Sequence, residues 1–245
     1  MHRVFMENAA GETIAVRGAE AVHIACSLRM KAGEEVTVCG GQGVEFRCRI
    51  VSVCPEEVLL RVEETLPVQS EPSVRVTLWQ GLPKGDKLEW IIEKSIELGV
   101  TEIVPVLMQR SVSRPDIKSA AKKHERYQKL ALSAAKQCGR GIVPEVRPMT
   151  SFREMCGALS RCDAVLFFYE LGGQPLSDIL HSPAAKEWRD IAVVIGPEGG
   201  FDPAEAQALQ AAGAFTATLG KRVLRTETAP LAALSVIMYA TGNLE

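Results

Sequence analysis

Two short stretches in the C-terminal third carry the residue types best suited to holding a small ligand. The first is Ile195-Gly196-Pro197-Glu198-Gly199-Gly200-Phe201. The second is Leu219-Gly220-Lys221-Arg222-Val223-Leu224-Arg225-Thr226-Glu227-Thr228-Ala229-Pro230. Each follows an apolar run of buried-strand type, 191–195 and 215–219. Glycine lets the main chain come close to a ligand, so backbone N–H and C=O groups can do the binding. A plainer explanation exists for the first stretch: a tight turn before a helix capped by Asp202 with Pro203 at its first position. That explanation accounts for the glycines but not for the second loop.

Familiar ligand loops do not fit. No Gly-Lys-Ser/Thr follows the glycines, which excludes a phosphate-binding P-loop, and Gly-x-Gly-x-x-Gly is absent from the first strand–helix turn. The four His, at 2, 23, 124 and 181, have no obvious nucleophile beside them. Seven Cys, at 26, 39, 48, 54, 138, 156 and 162, contain no C-x-x-C pair, so neither a zinc site nor a disulfide framework is expected, and mostly packed thiols are.

Strands and helices must position these loops. Strand-like runs at 3–6, 13–16, 36–38, 44–53 and 58–62 predict a small β-barrel, interrupted by one helix over 19–30 with Val22, Ala25, Cys26 and Arg29 at helical spacing. The turn Cys39-Gly40-Gly41-Gln42-Gly43 reads as a hairpin connection. The polar stretch 69–73 predicts a domain boundary, giving domains 1–70 and 71–245. Beyond it strands at 74–78, 103–107, 163–168, 191–195 and 215–219 alternate with helices. These open near Asp86, whose spacing to Glu89 suits a capping box, and cover 117–138, 176–180, 203–212 and the segment from Thr228. This alternation predicts an α/β fold with a parallel sheet covered on both sides.

The composition, 47% apolar and 24% charged over 245 residues, is that of a globular protein, with no apolar run long enough for a membrane helix. The first residues lack the apolar core of a secretory signal, so a cytoplasmic protein is expected. The formal net charge of −2 hides an uneven distribution. Residues 110–140 hold nine cations against Asp116 and Glu125, a local balance of +7 that leaves −9 elsewhere. A basic segment in an acidic chain is the footprint of a polyanion-binding face or simply a solvated helix face. In the first domain His23, Arg29 and Lys31 are donors of the type that meets a phosphate backbone.

The two loops together resemble the signature of the RsmE family, the 16S ribosomal RNA uridine N3-methyltransferases of the knotted SPOUT class. The resemblance spans nearly the whole chain. It includes Arg3 with Phe5, His23-Ile24 to Leu28-Arg29, Glu93-Lys94-Ser95-Ile96-Glu97-Leu98-Gly99-Val100, Gln137-Cys138-Gly139-Arg140, and 144–148. Two positions depart from the pattern: Cys39 precedes Gly40 where an acidic residue is common, and Pro230 stands where a small residue is more usual. Pro230 would fall in the first turn of the last helix if Thr228 caps it, where a missing N–H is tolerated.

The resemblance implies a small N-terminal PUA-like β-barrel that binds RNA and a C-terminal SPOUT α/β trefoil-knot methyltransferase domain. It also implies a homodimer, S-adenosylmethionine as cofactor, no metal, and 16S rRNA in the small ribosomal subunit as partner. By position, the cofactor pocket would be walled by Gly196, Glu198, Gly199 and Gly200, by Leu219 and Gly220, and by Leu224, Thr226 and Thr228.

Methylating uracil N3 requires a proton to leave and negative charge to appear on the ring. Arg225 is the first candidate to stabilise that charge. Glu198 and Glu227 are candidate bases, provided burial raises their pKa. Plainer roles are a helix cap for Glu198 and an ion pair with Glu227 for Arg225. Arg3, His23, Arg29, Arg110, Arg114 and Arg140 are the candidate RNA contacts. Two rival readings keep the same loops: a knotted methyltransferase acting on a ribose 2′-hydroxyl or on transfer RNA, and a non-catalytic RNA-binding or ribosome-assembly protein.

Overall fold

The alternating apolar residues of the N-terminal region fold as a five-stranded mixed sheet with one buried face. The computed structural model describes residues 2–41 and 43–244. The strands are β1 (His2–Phe5), β2 (Thr13–Arg17), β3 (Glu35–Cys39), β4 (Val44–Val53) and β5 (Glu57–Pro67), in the order β1-β3-β4-β5-β2. Among the described residues only the β1–β3 pair of this sheet is parallel. Val4, Ile14, Val16, Val36, Val38, Phe46, Ile50, Val58 and Leu60 point into one core. The β4–β5 ladder slips at two places, the bulge that bends and twists long paired strands. The expected small β-barrel is seen as a half-barrel: among the described residues no ladder joins its edges β1 and β2. Of the predicted hairpin turn, Gln42 lies outside the described residues, while β3 and β4 on either side pair antiparallel with Cys39 opposite Glu45.

The helix expected over 19–30 is shorter and broken. Helix α1 (Ala19–Val22) widens into a π turn over His23–Ser27, where Leu28 N donates to His23 O at 2.9 Å. The wider turn places the buried face at Ala21 and Ile24, and of the residues at helical spacing Val22 is 46% exposed. Arg29 then turns the chain with φ +53, in the left-handed region.

The second sheet is parallel throughout, as the strand–helix alternation requires. Its strands are β6 (Arg75–Gly81), β7 (Glu102–Leu107), β8 (Glu145–Val146), β9 (Thr150–Ser151), β10 (Ala164–Phe168), β11 (Gln174–Pro175), β12 (Asp190–Ile195) and β13 (Phe215–Thr218). The order is β11-β13-β10-β12-β6-β7-β8, with β9 also beside β7. The central strands β6 and β12 are buried on both faces, which explains their continuous apolar runs.

The helices are α2 (Lys87–Glu97), α3 (Ile117–Cys138), α4 (Phe152–Leu159), α5 (Leu176–Leu180), α6 (Pro203–Ala211) and α7 (Ala229–Ala240), with a 3-10 turn at Pro183–Glu187. On one face of the sheet Met155 and Leu159 of α4 and Ala206 and Leu209 of α6 join Val104, Val106, Phe167, Ala192, Val194 and Phe201 in one core. Helix α7 packs on β12 and on α2, whose Leu88, Ile91, Ile92 and Ile96 are all buried.

Helix caps show where local sequence suffices. Asp202 caps α6 and exchanges bonds with Glu205 in a full capping box. Ser151 and Glu154 do the same for α4, a helix the periodicity reading missed although its Ser-x-x-Glu spacing is a start signal. Asp86 does not cap α2: with φ −95 and ψ 9 it lacks the extended backbone a cap needs, and its carboxylate points to water, 89% exposed.

By contacts the chain forms two compact units, Met1–Glu71 with Ala135–Val143, and Pro72–Ala134 with Pro144–Glu245. The return of 135–143 to the first unit has no counterpart in a simple division at residue 70. It is held there by Arg140, 4% exposed, whose Nη2 lies 2.6 Å from Glu71 Oε2, while Gly141 N donates to Glu71 Oε1 at 2.9 Å.

Candidate functional site

Parallel strands β6, β12, β10 and β13 lie side by side, so their C-terminal ends open onto one crevice, the position where open α/β sheets bind ligands. A cavity of about 670 Å³ lies there. Its walls are the loop after β12 (196–200), the loop after β13 (219–226), and the end of β10 with its following turn, Phe168 to Gly172. Lys87, from the first turn of α2, stands at its rim.

The walls are built for main-chain contact. Gly200 has φ +69, where a side chain strains the backbone, and a Cβ there would also displace the Glu170 carboxylate, whose Oε1 would lie 1.9 Å away. Glu170 itself accepts from Phe201 N at 3.2 Å, which folds its carboxylate across this wall. Gly220 turns the second loop with φ +105. Among the described residues the backbone groups of Leu219 and of Lys221 to Val223 carry no hydrogen bond, leaving a row of donors and acceptors beside the cavity.

Thr226 ties the loops together from beneath. It is 6% exposed; its Oγ1 donates to Gly196 O at 2.8 Å and accepts from Gln80 Nε2 at 3.0 Å. The hydroxyl is therefore committed to the floor of the pocket, and only the remainder of the residue lines it. Gly196, Glu198, Gly199, Gly200, Leu219, Gly220, Leu224 and Thr226 all line the cavity, as does Arg225. Thr228 does not: it precedes α7, exposed, and its side chain makes no cap bond. Pro230 follows in the first turn of α7.

The charged groups divide into held and free. Lys87 Nζ is 3.1 Å from Glu198 Oε1 and 3.1 Å from Glu227 Oε2. Lys84 N also donates to Glu198 Oε1 at 3.1 Å. Burial pushes the Glu198 carboxyl up, but its own backbone N–H, the Lys84 N–H and the Lys87 ammonium together outweigh it and hold the carboxyl below its usual range. The same two carboxylates raise the Lys87 pKa. Arg225 is 83% exposed at the mouth, with Nη1 4.0 Å from Glu227 Oε1. Lys87 and Glu170 escaped the sequence reading because strand order, not sequence distance, brings them here.

The candidate RNA contacts also separate. Arg140 is corrected: buried and forked onto Glu71, it has no donor face for a phosphate. Arg3 is largely committed too, with Nη1 2.7 Å from Glu45 Oε2 and its side chain 19% exposed. Arg29 and His23 are exposed, the His23 ring resting 5.6 Å from that of His2. Arg110 borders the pocket, donating to Gly199 O at 3.1 Å, and Arg114 is exposed, donating to Gln109 O. On α3, Lys118, Lys122 and Lys129 face solvent, whereas Arg126 pairs with Glu89.

Cys39 and Cys48 are buried, but Cys26, Cys54 and Cys138 are exposed rather than packed. Among the described residues no cluster of three or more His, Cys, Asp or Glu is placed to hold a metal, and no helix is long and apolar enough to cross a membrane.

The chain matches known families over most of its length. Residues 70–238 match the RNA methyltransferase domain family and residues 16–63 the RNA methyltransferase PUA domain family. The chain is 38% identical over 237 residues to ribosomal RNA small subunit methyltransferase E of Bacillus subtilis, covering 95% of this chain and 92% of that one. The structure of the Neisseria gonorrhoeae ribosomal RNA small subunit methyltransferase E bound to S-adenosylmethionine superposes with a TM-score of 0.84 at 31% identity, covering 98% and 97% of the two chains. A Legionella pneumophila structure with the same cofactor bound gives 0.85 at 31% identity, covering 97% of each. With its two-loop pocket and matching domains over nearly its whole length, the chain belongs to the RsmE family of ribosomal RNA small subunit methyltransferases.

Proposed function

We propose that this protein transfers the methyl group of S-adenosylmethionine to N3 of a uridine in 16S rRNA of the small ribosomal subunit. The observation that carries the reading is the glycine-walled cavity between the 196–200 and 219–226 loops, in a chain of this family. Its volume suits a nucleoside-sized ligand. The close approach of Gly200 to the Glu170 carboxylate, and the main chain of Leu219 and of Lys221 to Val223, unpaired among the described residues, fit a ligand recognised by its edges. Gly196, Gly199, Gly200, Leu219, Gly220 and Leu224 would hold the cofactor through the backbone, with the Glu170 carboxylate complementing its positive charge. When bound, S-adenosylmethionine supplies an electrophilic methyl group on a sulfonium.

Arg225 then has the central protein role. As the N3 proton leaves, negative charge spreads over the uracil ring and its carbonyl oxygens, and an exposed guanidinium at the pocket mouth is a donor aimed at that charge. Glu198 is a poor base, because its carboxyl is held below the usual range rather than above it. Glu227 is engaged by Lys87.

RNA contact falls to Arg29 and His23 in the first unit and to Arg110, Arg114 and the exposed lysines of α3 in the second. Several features support the trefoil knot and the homodimer that the family resemblance implies. Thr226 anchors the final segment beneath Gly196, and α7 packs against β12 and α2. Trp90 of α2 and Val236 and Tyr239 of α7 are 46%, 40% and 72% exposed on these two packed helices, an apolar face suited to a second copy. A ribosomal substrate implies a cytoplasmic enzyme.

Calorimetry with S-adenosylmethionine tests the pocket, and turnover tests Arg225. Wild type and Arg225→Ala should bind the cofactor within about threefold of each other, while turnover of the variant falls about 100-fold or more, the cost of losing a donor to a developing anion. No cofactor binding by wild type, even with small subunits present, would refute the enzyme reading. A matched loss of binding in the variant would move Arg225 into the pocket wall.

A further inference from the structure

Lys87 sits between two carboxylates on different loops. Its Nζ is 3.1 Å from Glu198 Oε1, on the loop after β12, and 3.1 Å from Glu227 Oε2, on the loop after β13. The other oxygen of Glu227 faces Arg225, with Oε1 4.0 Å from Nη1, too far for a hydrogen bond. Two cations therefore compete for one carboxylate, and Lys87 has the shorter contact, an ion pair rather than a hydrogen bond, since Glu227 Oε2 has no hydrogen-bond partner among the described residues. It is also the better shielded, with its side chain 35% exposed against 83% for Arg225. Water and salt weaken the exposed pair more.

The competition matters because a guanidinium forked onto a carboxylate commits two of its five N–H donors, fixes its orientation and has its charge compensated. Arg225 and Glu227 are two residues apart on one loop, so a modest side-chain rotation would join them. Whatever holds Glu227 elsewhere decides whether Arg225 faces the substrate with its donors free. Glu198 needs Lys87 less, since the Lys84 N–H already holds the same oxygen.

We propose that Lys87 is a positioning residue for methyl transfer, which by holding Glu227 keeps the Arg225 guanidinium unpaired and available to the anion that develops on the target base. The proposal rests on the role given to Arg225 above. It differs from a simple latch between the two loops, which would tighten the pocket and act on cofactor affinity. Here Lys87 acts on the rate through a neighbour, and the defect of losing it is curable by removing the competing carboxylate.

The test compares wild type, Lys87→Met, Lys87→Arg, Glu227→Gln, Arg225→Ala and the double variant Lys87→Met/Glu227→Gln. Two quantities are read: the dissociation constant of S-adenosylmethionine by calorimetry, and the single-turnover rate on unmethylated small subunits at saturating cofactor. Lys87→Met should slow the step about tenfold or more with cofactor affinity within about threefold of wild type. Lys87→Arg should recover most of the rate, and the double variant should be faster than Lys87→Met alone and within about threefold of Glu227→Gln. Cofactor affinity falling in step with the rate in Lys87→Met would overturn the proposal in favour of a latch. So would a double variant no faster than Lys87→Met. If Arg225→Ala is slow but Lys87→Met is not, this proposal alone fails. If Arg225→Ala keeps the wild-type rate, the reading of Arg225 fails and this proposal with it.

Discussion

Thr226 shows how one buried hydroxyl can join three segments of chain. Its single proton goes to Gly196 O and its lone pair receives Gln80 Nε2, so the loop after β13, the loop after β12 and the end of β6 meet at one atom. Thr226→Val keeps the shape but takes the hydroxyl from the Gly196 carbonyl and from one of the two Gln80 amide N–H groups, next to a Gln80 Oε1 that already lacks a partner among the described residues. Chemical denaturation should show a loss of about 1–3 kcal/mol, and cofactor affinity should fall with it because both walls are released. An unchanged stability would mean that the bonds are dispensable. At this scale the position of the glycines and of Arg225 around one cavity was legible in the sequence, since a glycine's permissiveness is a local property. The committed states of Arg3 and Arg140 were not, because their partners Glu45 and Glu71 lie far along the chain. Lys87 was hidden for the same reason: as one cation in a helix start it resembles any other.

Among the elements, α1 and the end of α3 are joined by charge. Glu20 accepts from His2 Nε2 at 3.1 Å and from Lys136 Nζ at 2.6 Å. The bond from His2, with the Lys136 bond and charge added against an opposing effect of burial, holds the Glu20 carboxyl at about 2. A carboxyl depressed on folding stabilises above its unfolded pKa and loses that contribution as pH falls through its folded value. Thermal melts should therefore drop for wild type between about pH 4.5 and 2, and Glu20→Gln should flatten this part of the profile while lowering the plateau above pH 5. An identical profile in the variant would remove Glu20 from the acid response. The helix α3 was readable end to end because its apolar residues Tyr127, Ala131 and Ala134 recur on one buried stripe. The π turn after α1 was not, since one extra residue in a turn shifts the buried face without altering local composition.

For the whole molecule, the parallel sheet follows from alternating elements, whereas its strand order does not. Periodicity says that β12 is buried on both faces but is silent on which strands flank it, and that order creates the cavity. The N-terminal half-barrel likewise follows from pairing rather than pattern. Assembly is testable here. If α2 and α7 form the face between two copies, Tyr239→Glu should shift the protein from dimer to monomer in sedimentation equilibrium, because it places a charge on an apolar contact. A variant that sediments like wild type would place the contact elsewhere.

The central claim is the chemistry at N3. Incubating the protein with labelled S-adenosylmethionine and small ribosomal subunits that lack the mark, then digesting the RNA and identifying the labelled nucleoside by mass spectrometry, tests it most directly. The account predicts label in 3-methyluridine from 16S rRNA. Label in a ribose, or only in transfer RNA, would contradict it.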